Sequence, residues 1–239
     1  MSDAFWQQVR TATPARIGLN RAGDTVGTRE LLDFGAAHAL ARDAVHRHLD
    51  VGSLITPVAQ LGLGEPSVVA SAARDRAEYL SRPDLGRRPA EPVPAGGPVD
   101  LAIVIADGLA AEASTRHAVP LLAELLPLLA GVTVAAPVIA TQARVALGDH
   151  IGSALAARAV LVLIGERPGL SVTDSLGAYL TWSPTPGILD SARNCVSNIR
   201  DPGGLDHRTA ARTLAALYAG ASALGATGVG LKDGSNTLI

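Results

Sequence analysis

Three seven-residue apolar runs, 100–106 (DLAIVIA), 132–138 (VTVAAPV) and 159–165 (AVLVLIG), constrain the fold of this chain more than any other feature. Each is aliphatic and almost free of charge, the texture of a strand buried on both faces of a parallel sheet. The segments between them, 112–130 and 147–157, have the length and composition of helices. The resulting β-α-β-α-β order is the unit that right-handed crossovers wind into one sheet. The fold class expected is therefore α/β, a Rossmann-like parallel sheet domain. Ser171 and Asp174 have the spacing of a capping pair, so a helix is expected to start at Ser171. Strands are expected near 178–182 and 193–199, and a last helix over 206–224.

Upstream the texture is helical. Thr28 is placed to cap a helix over 29–49, on which Leu31, Phe34, His38, Ala41, Val45 and His48 share one face by three-four spacing. A second helical stretch is expected over 67–80, and a Gly-rich connector over 13–27 holds Arg16 and Arg21. Residues 82–98 are rich in Pro and Gly with no period, which reads as a linker or an ordered connection. The chain then divides into a helical N-terminal region with linker, 1–95, and a Rossmann-like domain, 96–239.

Bulk properties exclude several functions. The formal net charge is −2 with no basic block, so phosphate-backbone binding to nucleic acid is not expected. Cys195 is the only cysteine, which leaves no intrachain disulfide and no CxxC metal site. No apolar run reaches the length of a membrane span, and the first residues lack the apolar core of a signal peptide. A cytoplasmic protein is the expectation.

In an open α/β sheet, ligands bind beyond the carboxyl ends of the strands, where strand order reverses. Those ends fall at 106–109, 141–145, 165–169 and 197–200. In the third, Gly165 and Gly169 permit close backbone approach and Pro168 stiffens the turn. Glu166 stands there either as an acceptor for a ligand's hydroxyls or amides, or as a loop acid paired with Arg167 or Arg193. Cys195 is a small packing residue of a strand, or a nucleophile if a base lies near it. Nothing in sequence links it to His150 or His207. His38 and His48 read as helix-face residues rather than metal ligands. Val145 has only its position after a strand end to commend it, and Arg144 beside it reads as a solvent-facing cation.

No GxGxxG follows an expected strand and no GxxxxGK[ST] occurs. The GxxGxG at 225–230 comes after the last helix and reads as a turn. A stand-alone Rossmann-like oxidoreductase using a nucleotide cofactor is the alternative reading, weakened by the missing glycine fingerprint. An interaction protein with an empty crevice is a third. No complete catalytic set is present, which suits a binding subunit better than a self-sufficient enzyme.

Six motifs carry a resemblance: RIGLNRAG (16–23), YLSRPDLGRR (79–88), IADGL (105–109), ARVALGDHIG (143–152), LIGERPGL (163–170) and NCVSNI (194–199). In this order they resemble the small subunit of ethanolamine ammonia-lyase across nearly the whole chain. The resemblance implies a hetero-oligomer with a large TIM-barrel subunit that holds the substrate, and adenosylcobalamin at the interface. It implies radical conversion of ethanolamine to acetaldehyde and ammonia. Cobalamin contacts carry over to Val145 (apolar contact), Glu166 (hydrogen-bond acceptor) and Cys195 (a small wall), with no catalytic or metal-ligating residue on this chain. The DxHxxG motif of some cobalamin domains is absent, since His150 has the wrong spacing, so base-on binding is implied. Longer relatives use a leader for packaging into a bacterial microcompartment, and here little chain precedes Arg16.

Overall fold

The computed structural model describes residues 3–13 and 15–232; Pro14 of the 13–27 connector lies outside them. Seven helices run over Asp3–Arg10 (α1), Thr28–His46 (α2), Val51–Ala59 (α3), Arg76–Ser81 (α4), Ala111–Leu125 (α5), Leu147–Ala154 (α6) and His207–Leu224 (α7) among the described residues. The strands are Arg21–Ala22 (β1), Thr25–Val26 (β2), Ser67–Ala70 (β3), Val99–Ala106 (β4), Val138–Thr141 (β5), Ala157–Gly165 (β6), Leu176–Trp182 (β7) and Asn194–Ile199 (β8). β1 and β2 form a small antiparallel ribbon. The other six make one sheet in the order β3-β5-β4-β6-β7-β8. The first four are mutually parallel, while β7 and β8 are antiparallel additions. The fold is mixed α/β with a mostly parallel central sheet.

The continuous apolar runs are explained by two cores. Along β4, Leu101, Ile103 and Ile105 face a cluster with α3, α5 and α7, while Ala102, Val104 and Ala106 face one with α6. A strand with helices on both faces must be apolar at every position, not at alternate ones. Each fully buried Leu, Ile or Val contributes about 1.5–3 kcal/mol. The chain passes from β4 to its neighbour β5 through α5, then back over β4 to β6 through α6. Strand order therefore reverses between β4 and β6, and the crevice for a ligand opens at their carboxyl ends.

Several expectations need correction. Residues 67–80 are not one helix: Ser67–Ala70 pairs with Val138–Thr141 as an edge strand, and only Arg76–Ser81 is helical. The adjacent β-branched Val68 and Val69 favour extended backbone once a strand edge is on offer. The Asp75 side chain then starts α4 by accepting the Glu78 amide at 2.8 Å. The second strand begins at Val138, six residues later than expected. Pro137 has no N–H for a ladder, and 132–137 make only an isolated bridge, Leu101 to Val134. No helix starts at Ser171. Gly165 pairs with Leu176, so 166–175 is spent closing an antiparallel hairpin. Residues 82–98 are an ordered connection, with Ala72 N–H donating to Arg88 O, Ala90 to Ala70 O and Gly96 to Ala154 O.

The apolar stripe of α2 does not face the core. Ala37 is its only buried residue among those described, and Leu31, Leu32, Phe34 and Leu40 stand in solvent at 45–68% exposure. Near its carboxyl end the helix is tied to the rest of the fold, where Arg76 Nε donates to Val45 O at 2.7 Å. No helix among the described residues is long and apolar enough to cross a membrane.

Candidate functional site

At the carboxyl ends of β4 and β6 lies a cleft of about 460 Å³, lined by residues that include Gly108, Leu109, Arg144, Val145, Glu166 and Tyr179. A second hollow of about 580 Å³ continues from it toward Pro83, Asp84 and Asp190, and shares Arg144, Val145 and Tyr179 with the first. This is where the strand order reverses.

The floor needs two glycines. Gly108 has φ +57°, and a Cβ there would lie 2.2 Å from Gly165 O. A Cβ on Gly165 would lie 2.0 Å from Ala110 O. The ends of β4 and β6 thus touch backbone to backbone, and Leu109 N–H donates to Gly165 O at 3.0 Å. Any side chain at these points would push the floor open.

One wall is the turn from β5 into α6, which carries Val145. Asp107, buried at the end of β4, holds that turn: its carboxylate accepts the Gln142 and Ala143 amides, each at 2.8 Å. It also pairs with buried Arg76 at 3.3 Å. Burial pushes the Asp107 carboxyl up and the Arg76 guanidinium down; their mutual attraction opposes both shifts, and the backbone amides oppose that of Asp107. From the other side, Tyr79 Oη donates to Ala143 O at 3.0 Å, and Arg144 N–H donates to Gly86 O at 2.8 Å. Val145 is half-buried against the α6-side core, with its turn braced on both flanks.

The opposite wall is the end of β6. Glu166 follows the last strand residue, and its Oε2 accepts the Asn198 amide at 3.2 Å. Neither arginine considered as its partner pairs with it among the described residues. Arg193 instead forks onto buried Asp149 at 2.6 and 2.7 Å. Cys195 sits directly across from Tyr179 in the β7–β8 ladder. Burial by the surrounding wall pushes the thiol up, with the Glu166 carboxylate acting the same way and the Tyr179 side chain opposing. Part of the residue still reaches solvent. A thiol held protonated is a poor nucleophile, which favours the packing reading. His207 is engaged elsewhere, 3.1 Å from His117.

Val145 and Glu166 therefore line one cleft. Cys195 is not among the lining residues; it stands across from Tyr179, which is. Sequence reasoning missed Tyr79 and Tyr179, and it took Arg144 for a solvent-facing cation. Arg144 stacks 4.4 Å over the Tyr79 ring, and its Nε is buried without a hydrogen-bond partner. Tyr79 and Arg144 stood inside two of the quoted motifs, 79–88 and 143–152; for Tyr179 the one sequence signal was the scarcity of aromatics, three tyrosines in the whole chain. Two of the three face this cleft. Among the described residues no group of three or more metal-ligating side chains occurs.

Relatives point the same way. The family model described as ethanolamine ammonia-lyase light chain (EutC) matches residues 3–232. The ethanolamine ammonia-lyase small subunit of Rhodococcus erythropolis is 50% identical over 233 residues, covering 97% of this chain and 91% of that protein. That of Bradyrhizobium diazoefficiens is 52% identical, covering 95% and 90%, and that of Azotobacter vinelandii 49%, covering 95% and 88%. With the family model matching residues 3–232 and half of the aligned positions identical over 97% of the chain, this chain belongs to the ethanolamine ammonia-lyase light chain family.

Proposed function

We propose that this chain is the small subunit of an adenosylcobalamin-dependent ethanolamine ammonia-lyase, and that its cleft forms one side of the cobalamin site against a large catalytic subunit. The observation that carries the reading is the meeting of Val145 and Glu166 in a cleft at the strand-order reversal, in a chain of this family. The order β5-β4-β6, with α5 and α6 on opposite faces, supports the Rossmann-like reading of the sheet.

The residues present fit a corrinoid. The glycine floor lets a flat, bulky ring approach the backbone. Val145, Leu109 and Ile164 offer apolar contact, and Glu166 has lone pairs for amide N–H donors. The buried Arg144 Nε, unpartnered among the described residues, marks a polar wall whose hydrogen bonding is incomplete there. The cofactor, when bound, supplies the radical chemistry that turns ethanolamine into acetaldehyde and ammonia. This chain's share is to bind and to hold. Asp107, Tyr79 and Gly86 fix the turn that presents Val145, Asn198 fixes Glu166, and Tyr179 fixes the Cys195 wall. No proton or electron needs to pass through them.

A cleft open along one side, with a bare apolar α2, suits a chain that is half of a site. Leu31, Leu32, Phe34 and Leu40 are the exposed apolar surface expected of an obligate subunit. The partner is the large subunit within a higher hetero-oligomer, working in the cytoplasm or inside a bacterial microcompartment.

The test is acetaldehyde release from ethanolamine and adenosylcobalamin by the large subunit, with and without this chain. Turnover that requires both chains, and falls at least tenfold with Glu166→Gln, is the expected result. A well-assembled pair that does not turn over sinks the reading.

A further inference from the structure

The charges around the cleft do not balance. Asp84, on the second hollow, pairs with Arg82 at 2.8 Å, and Asp190 pairs with Arg87 at 3.2 Å and Arg193 at 3.3 Å. Glu166 is engaged by the Asn198 amide. Arg76, on the same Tyr79 ring as Arg144, is neutralised by Asp107. Two arginines lining the 460 Å³ cleft, Arg144 and Arg167, form no ion pair among the described residues. They stand on the loops after β5 and β6, the two strands that flank β4. Arg144 is also the less free to leave: it is stacked on Tyr79 at 4.4 Å, its Nη2 reaches Tyr79 O at 3.4 Å, and its backbone is tied to Gly86. A guanidinium held in place beside a cavity, with no carboxylate of its own, is built to receive an anion.

We propose that Arg144, with Arg167 facing it across the end of β4, is the subsite for the phosphodiester in the nucleotide tail of the cofactor. The inference rests on the cobalamin reading above and orients the cofactor within it. A cobalamin's corrin side chains are neutral amides, which a carboxylate or backbone carbonyl serves well. Its one anionic side group is the tail phosphate, and a planar fork of N–H donors matches phosphate oxygens in pairs. Glu166 then serves the amides, while the tail phosphate is held between the loops after β5 and β6.

The experiment measures equilibrium binding of two corrinoids to the assembled two-subunit complex by their visible absorption. Adenosylcobinamide phosphate and adenosylcobinamide differ only in the phosphate. The native complex is expected to prefer the phosphate-bearing form by about 10- to 100-fold, the range of one or two charge-assisted hydrogen bonds. Arg144→Met should abolish that preference while holding adenosylcobinamide within about twofold, and Arg144→Lys should keep part of it. Arg167→Met, on an exposed side chain that the fold does not lean on, should reduce the preference without touching assembly. Equal loss of both ligands in Arg144→Met, or a native complex with no preference, overturns the subsite and leaves the cobalamin site standing. A native, assembled complex that binds no corrinoid, adenosylcobalamin included, overturns the cobalamin reading itself.

Discussion

Replacing Gly108 by Ala strikes the point where the ends of β4 and β6 meet. Two costs arise. An alanine at φ +57° sits in the left-handed region, at about 1–2 kcal/mol. Its Cβ would also lie 2.2 Å from Gly165 O and 2.5 Å from Ile164 Cγ1. One of these neighbours is backbone and cannot swing away, so the strands must part, at the roughly 1–3 kcal/mol typical of overpacking. The sum is about 2–5 kcal/mol, which at about 2–4 °C per kcal/mol for a chain of this size lowers Tm by roughly 4–20 °C. Gly131→Ala is the matched control: φ is +81°, but nothing lies within 4 Å of its Cβ. It carries the left-handed cost alone, so Tm falls by roughly 2–8 °C. Thermal unfolding of both variants gives the difference, and cobalamin titration of the assembled complexes reads the floor itself. Gly108→Ala should weaken cofactor binding and Gly131→Ala should not. Equal melting of the two variants, or unchanged binding by Gly108→Ala, would refute the argument that the close approach of β4 and β6 shapes the site.

Asp149→Ala removes both oxygens that the buried Arg193 fork grips, leaving a guanidinium with 2% of its side chain exposed. The expected loss is about 3–5 kcal/mol by urea unfolding, and adding Arg193→Met should recover part of it; fully additive losses would deny the coupling. His117 is held below its usual value of 6.5 by burial first and by neighbouring His207 second, with Arg116 acting the same way and Asp174 opposing. The unfolded chain therefore binds the extra proton more readily, so this stability is present above pH 6.5 and is lost as pH falls below it. His117→Asn should flatten the fall of Tm between about pH 7.5 and about pH 5.5, and an unchanged slope would contradict the assignment.

Much of this architecture is written in local features of the chain. The aliphatic runs at 100–106 and 159–165 became β4 and β6, because a strand covered on both faces writes its burial into every position. Asp206 starts α7, its side chain accepting the Thr209 amide at 2.9 Å, as a short polar residue before an apolar period should. The glycine-rich end at 225–230 proved to be a helix stop and turn. Six short motifs sufficed to place the chain in its family.

Partner choice was not legible. Ser67–Ala70 became a strand because β5 had a free edge, and edges belong to the assembled sheet rather than to four residues. β7 turned antiparallel because the ten residues after Gly165 close a hairpin, a matter of which strand was already in place. α2 reads as a core helix, yet its stripe is bare, since periodicity records that a face is apolar but not what covers it. The same limit applies to the cleft. Each loop announced itself as a strand end, but that Val145 and Glu166 line one hollow follows from the crossover that returns the chain over β4. That Tyr79 and Tyr179 serve as its walls follows from contacts 64 and 16 residues distant in sequence. Sequence by itself determined which segments are buried and what family they form; only tertiary structure decided who pairs with whom, because pairing energy is realised between segments that no local window contains.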